Sequence, residues 1–179
     1  MVADNNLIMK SYHIIILTLV ALLVASCSNS DTCQQDMSNR GLKVSLHRFV
    51  YDERTEAYRP EVYTLPMTVN GLGIDSTLYD STFTSTLTLP LNPQDTISSF
   101  AITSFQREND SIVRYADTLS VFHTNEIVLI SLECGCSVNN NITQVSSSVN
   151  AIDSCVVENT AVSYLNAKTN NIKIYLHSR

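Results

Sequence analysis

From residue 42 onward, apolar and polar residues alternate in short runs, the pattern of half-buried strands rather than of helices. "LKVSLHRFVY" (42–51) sets Leu42, Val44 and Leu46 against Lys43, Ser45 and His47. "STFTSTLTLPL" (81–91) sets Thr82, Thr84, Thr86 and Thr88 against Phe83, Leu87, Leu89 and Leu91. Further strands are expected at 61–69, 96–105, 111–123, 126–134, 141–149, 154–159 and 171–178. "NPQD", "REND" and "HTNE" between them read as turns, and Asn70-Gly71 as a hairpin signal. Pro66 suggests an edge strand or a bulge, because proline cannot donate to a ladder. The segment "ENTAVSYLNAKTN" fits one short helix or a loop. No long window keeps a 3.6-residue period, so the expected fold is all-β, an antiparallel β-sandwich, with a small β-barrel as the alternative.

The first forty residues follow a different pattern. Lys10 precedes an apolar run from Ile14 to Ala25, interrupted only by Thr18. As a helix it spans about 18 Å, short of the roughly 20 residues a bilayer requires. A charge followed by a short apolar run is the layout of a secretory signal. Met9-Lys10 reads as a natural start, leaving residues 1–8 as an upstream extension. The run ends Leu23-Val24-Ala25-Ser26-Cys27, which resembles the lipobox of bacterial lipoproteins. That resemblance implies cleavage after Ser26 and lipidation of Cys27, with each buried CH₂ contributing roughly 0.8 kcal/mol to the anchor. The plain alternative is a secretory signal with Cys27 in a disulfide. Ser28 after the lipidated cysteine goes with outer-membrane sorting. The expected organisation is a signal at 1–26, a lipidated tether at 27–40 and one domain at 41–179.

Composition narrows the partners. The net charge is −6, with 11 basic residues and no basic run, which argues against nucleic acid. With Cys27 lipidated, Cys33, Cys134, Cys136 and Cys155 remain, an even number suited to an oxidising compartment. Three pairings are open. Cys134 and Cys136 would share one strand face with sulfurs too far apart to join comfortably, so we favour Cys33–Cys134 and Cys136–Cys155. Four scattered thiols make a poor zinc site and no C-x-x-C occurs, so neither a metal, another cofactor nor a redox role is expected.

Catalytic patterns are equally sparse. His47, His123 and His177 lie in or beside predicted strands, where a solvent-facing position is expected; His13 falls in the signal. No nucleotide loop or G-x-S-x-G elbow is present, which leaves only a hydrolase with a dispersed triad as an enzymatic reading. Asp52, Glu53 and Glu56 alternate with Arg54 and Arg59 as in a solvated loop. Tyr51, Tyr58 and Tyr63 are candidates for a sugar-stacking surface or for ordinary core and rim tyrosines. Asp-Ser/Thr followed by an aliphatic residue or Thr occurs five times, at Ser76, Ser81, Thr96, Ser111 and Thr118. This resembles the O-glycosylation acceptor pattern of extracytoplasmic proteins of Bacteroides-type bacteria. The alternative is that Asp-Ser/Thr opens turns.

The lipobox, the early Cys33 and the late Cys134-Gly135 together resemble a group of small lipoproteins of Bacteroides-type bacteria to which no activity is attached. In that group an early cysteine precedes a β-rich domain with a late Cys-Gly; here Cys136 and Cys155 look like additions. The functional expectation is a lipid-anchored outer-membrane protein that binds or scaffolds without catalysis, with an envelope protein or glycan as partner. A carbohydrate-binding or adhesin/fimbrial-type subunit is the alternative.

Overall fold

A computed structural model describes residues 41–73, 76–108, 110–132, 135–163 and 169–177. The expectations for Cys27, the tether, and the pairing of Cys33 with Cys134 fall outside these residues. Eleven strands appear in order: β1 (Leu42–Asp52), β2 (Ala57–Val62), β3 (Leu65–Gly71), β4 (Thr77–Thr84), β5 (Thr86–Leu89), β6 (Ile97–Glu108), β7 (Ser111–Ser131), β8 (Gly135–Ser147), β9 (Ile152–Val157), β10 (Ala161–Val162) and β11 (Ile172–Leu176). The fold is all-β, and no helix occurs among the described residues.

The smaller sheet has the order β2-β1-β11-β9, with β5 paired to β1 beside β2. The larger has the order β10-β8-β7-β6-β3-β4. Neither closes into a barrel, and the two face each other as a sandwich. All pairings are antiparallel except β1 with β11, which run parallel from Val44↔Ile172 to Arg48↔Leu176. Alternation accounts for the core: Leu42, Val44 and Leu46 of β1 meet Leu65, Met67, Val69, Phe100, Ile102, Leu119 and Val121 of the other sheet. Ile172, Ile174 and Leu176 of β11 join the same cluster.

Several expected boundaries move. "STFTSTLTLPL" divides at Ser85, where the chain changes sheets between β4 and β5. "HTNE" is no turn; β7 runs unbroken for 21 residues through it. The turn after Asn70-Gly71 falls later, at Leu72-Gly73, where Gly73 takes a φ of 85°. Pro66 lies in an interior strand but pairs with Phe83 of edge strand β4, while the ladder to β6 begins only at Met67. Its missing donor therefore interrupts no β6 bond. Part of "ENTAVSYLNAKTN" forms the short strand β10.

Wherever the chain crosses between sheets late in the fold, a buried polar side chain holds the crossover. Asp117 Oδ1 accepts from Ser148 Oγ (2.6 Å) and Asn150 N (2.8 Å), and its Oδ2 accepts from Ala151 N (2.7 Å) and Ile152 N (3.2 Å). These bonds fix the β8–β9 connection. Asn171, also buried, accepts from Lys43 N (3.0 Å) and donates to the carbonyls of Asn159 (3.1 Å) and Ala161 (2.9 Å). A buried polar group must be satisfied or it costs the fold its desolvation, and these two are.

Candidate functional site

The β7–β8 hairpin outgrows the sandwich. The β6 ladder on β7 ends at Ile97↔Phe122, and β10 touches β8 only at Asn140 and Asn141. Among the described residues, beyond these points β7 and β8 pair only with each other, through Ile127↔Val138 and Leu129↔Cys136. Period-two alternation continues the core-facing row from His123 through Asn125 to Ile127 and Leu129. Facing them, the described part of the smaller sheet begins at Gly41, which shares a cavity wall with Ser137 and Val138. Past that level the row is uncovered: Ile127 is 76 % exposed and Leu129 64 %, and at the hairpin tip Leu132 is 95 % exposed. No charged residue occurs from Ile127 to Leu132. Two-stranded ribbons are marginal alone in water, and a contiguous exposed apolar face is the usual mark of a contact surface.

A second surface lies on the outer side of the smaller sheet. Phe49 stacks on Tyr175 across β1 and β11, with ring centroids 4.9 Å apart and planes at 13°. His47 tilts against Tyr175 at 5.7 Å, and Tyr51 meets Tyr58 edge-on at 5.3 Å. Burial, and then the Lys173 cation, push the His47 pKa below the usual imidazole range. Lys173 itself is held above the ordinary lysine range by its hydrogen bond to Glu158. Phe49 and Tyr175 give up ring faces to each other, which leaves less for a sugar to stack on. Tyr63 does not join this surface; its ring lies 4.6 Å beneath the Arg48 guanidinium.

The structure does bring together one Ser–His–amide chain. Ser98 Oγ lies 2.9 Å from His123 Nε2, and His123 Nδ1 lies 2.7 Å from Asn125 Oδ1. Asn125 Nδ2 donates to the carbonyls of Asn92, Pro93 and Asp95, so its Oδ1 is the acceptor and Nδ1 carries the ring proton. Asn92 N donates to Ser98 Oγ at 2.8 Å, and the hydroxyl in turn donates to Nε2. Contrary to expectation, His123 is buried, only 1 % exposed. Every member has a structural partner, so the chain works as a third crossover clamp, on the 90–96 connection. A nucleophile would instead need an approachable oxygen and donors for a developing oxyanion.

The cysteines require a correction. Cys136 and Cys155 are both free thiols, so the expected Cys136–Cys155 bridge is not formed. Cys155 Sγ lies 3.5 Å from Ser147 Oγ, at the far end of β8 from Cys136. Eleven residues of strand separate Cys136 from Ser147, on the order of 35 Å, whereas a disulfide requires Cα atoms within about 7 Å. Burial pushes the Cys155 thiol above its ordinary pKa. Iodoacetamide at neutral pH is expected to label exposed Cys136 many times faster than Cys155. Peptide mass spectrometry over a time course checks this, and equal rates would refute it.

All five Asp-Ser/Thr hydroxyl residues, Ser76, Ser81, Thr96, Ser111 and Thr118, are exposed. Accessibility is what a glycan acceptor needs, but four of the acidic partners have local work, among them Asp110, whose Oδ1 accepts from Arg107 Nη2 at 3.3 Å. Asp117 is the buried clamp, Asp95 Oδ1 accepts from Thr96 N at 2.7 Å, and Asp80 Oδ1 accepts from Ser81 Oγ at 3.4 Å. If the pattern is an acceptor signal, intact-mass analysis of protein from its native host shows hexose-sized increments on these residues; an unmodified mass rejects it. Asp52, the last residue of β1, pairs with Arg59 of β2 at 3.4 Å, so only residues 53–56 of the expected loop form the turn. Among the described residues no cluster of three or more His, Cys, Asp or Glu could hold a metal ion. No helix among them is long and apolar enough to cross a membrane.

These features define a class: a β-sandwich with clamped crossovers and an uncovered apolar arm. The chain belongs to DUF6452, a family of unknown function, whose family model matches residues 66–176. The match runs from β3 to the last residue of β11, so it takes in the whole arm and all three clamps. No curated protein and no solved structure matches the chain.

Proposed function

We propose that this chain is a lipid-anchored envelope lipoprotein whose sandwich binds or scaffolds without catalysis, and that the β7–β8 arm is its contact with another envelope protein. The observation that carries the reading is the uncovered row of Ile127 and Leu129, with Leu132 at the tip, on a ribbon with no sheet neighbour among the described residues. Gly41, beside the start of β1, lines a cavity with Ser137 and Val138 at the root of this arm.

The anchor is tested with a palmitate analogue: label on the wild type and none on Cys27→Ala is expected, and unchanged label refutes lipidation there. The arm is tested with a photo-crosslinking residue at Leu129 and another at exposed Thr143. A discrete protein adduct from Leu129 alone is expected; none, or the same adducts from both, refutes the contact. Exposed Tyr51 and Tyr58 favour a second reading, a carbohydrate-binding surface. On that reading Tyr58→Ala abolishes retention on a polysaccharide column and leaves the arm adduct intact.

A further inference from the structure

A knob and a hole stand at opposite ends of the β7–β8 arm. At the tip, Leu132 is 95 % exposed. At the root, Gly41, Pro90, Leu91, Pro93, Val138 and Val162 form the apolar part of a cavity of about 270 Å³. An apolar space of about 150 Å³ admits a benzene ring, so this one has room for a leucine side chain. Between tip and root lies the paired row Leu129↔Cys136. Leu132 is three residues past Leu129, about 10 Å towards the tip. The cavity residues Val138 and Asn140 are two and four residues past Cys136, about 7 and 13 Å towards the root. Knob and hole are therefore nearly equidistant from that one row, on opposite sides of it.

The face between them suits a copy of itself. The pairings Ile127↔Val138 and Leu129↔Cys136 place these four side chains on the core-facing side of the ribbon, two to each strand. No charged residue occurs from Ile127 to Leu132 or from Gly135 to Ile142, so nothing repels when this face meets its own image. A second ribbon can lie against it turned end for end, about a two-fold axis through the Leu129–Cys136 row, with every contact reciprocal. Each Leu132 then arrives at the level of the other copy's cavity. The incoming arm occupies the space where the described part of the smaller sheet stops.

We propose, on the reading that the arm is a contact surface, that its partner is a second copy of this chain. The two form a two-fold dimer with each Leu132 seated in the other's root cavity. Each face measures roughly 20 by 10 Å, well under the roughly 800 Å² per partner of a standard complex. The dimer is therefore weak, forms where chains are crowded, and comes apart at the dilution of the alkylation experiment. The test expresses two differently tagged copies together in the native host, one carrying a photo-crosslinking residue at Leu129. Adducts bearing both tags are expected, with none from a crosslinker at exposed Thr143. Leu132→Asp at the tip and Pro93→Lys at the exposed cavity rim, each placed in both copies, should lower their yield by about tenfold or more. Chains carrying both substitutions should regain much of the yield, because each Asp then faces a Lys, whereas a folding defect would not recover. Leu129 adducts to a different protein alone overturn the dimer and leave the arm a contact surface; no Leu129 adduct, or equal adducts from Thr143, overturns both. Doubly tagged adducts indifferent to Leu132→Asp, or a double variant no better than the single ones, overturn the seating of Leu132.

Discussion

Asp117→Ala is expected to destabilise the domain by about 3–4 kcal/mol, because one truncation strands three backbone N–H groups and a hydroxyl that the carboxylate satisfies. For a domain of this size that corresponds to a fall in Tm of roughly 10 °C. Asp117→Asn keeps one accepting oxygen but turns an amide N–H₂ toward two N–H donors, so its loss should be about half as large. Asp153→Ala removes an exposed carboxylate and should cost about 0.5 kcal/mol or less. Urea denaturation followed by circular dichroism ranks the three. An Asp117→Ala midpoint within error of Asp153→Ala would mean the β8–β9 crossover is held by packing alone.

The arm is expected to behave in the opposite way. Ile127→Asp combined with Leu129→Asp should leave the urea midpoint within about 0.5 kcal/mol of wild type, because neither side chain is buried in the sandwich. Binding to the crosslinked partner should fall by about a hundredfold or more. Each side chain is worth roughly 1.5–3 kcal/mol when fully covered, and burying a carboxylate adds a further penalty. Surface immobilisation of the partner recovered from the Leu129 adduct measures this. Unchanged affinity, or a large loss of stability, would show that the uncovered row is not the contact.

Legibility followed the physics of each segment. β1, β6 and β11 were readable because one face is buried and the other wet, which alternation reports directly. β2 was read only in part: all but one of its six residues are exposed, so no apolar face marks it. The polar string His123-Thr124-Asn125-Glu126 imitates a turn, yet two of its members are the Ser98–His123–Asn125 clamp, and inward-facing polar residues break the alternation a strand normally shows. The arm misled in another way. "EIVLISL" has the composition of a fully buried strand, and only the end of the facing sheet determines that it is uncovered. The Cys136–Cys155 pairing rested on Cys134 and Cys136 needing different partners, and β8 carries Cys136 to the end of the sheet away from Cys155. Of the candidate sites, the exposed Asp-Ser/Thr positions and the Tyr51–Tyr58 pair were visible beforehand.

The parallel seam between the first and last strands bears on how the domain is made. The Lys43–Asn171 bond spans 128 residues, and β9 reaches the rest of its sheet only through β11. A chain emerging from its N-terminus must therefore hold Leu42, Val44 and Leu46 unpaired on one side until Ile172–Leu176 has appeared. Contacts of such long sequence separation fold slowly, since the loop must close before the contact is gained. Completion is thus a late, all-at-once event in the life of the chain. The waiting edge of β1 is the segment that a chaperone would have to shield in the meantime.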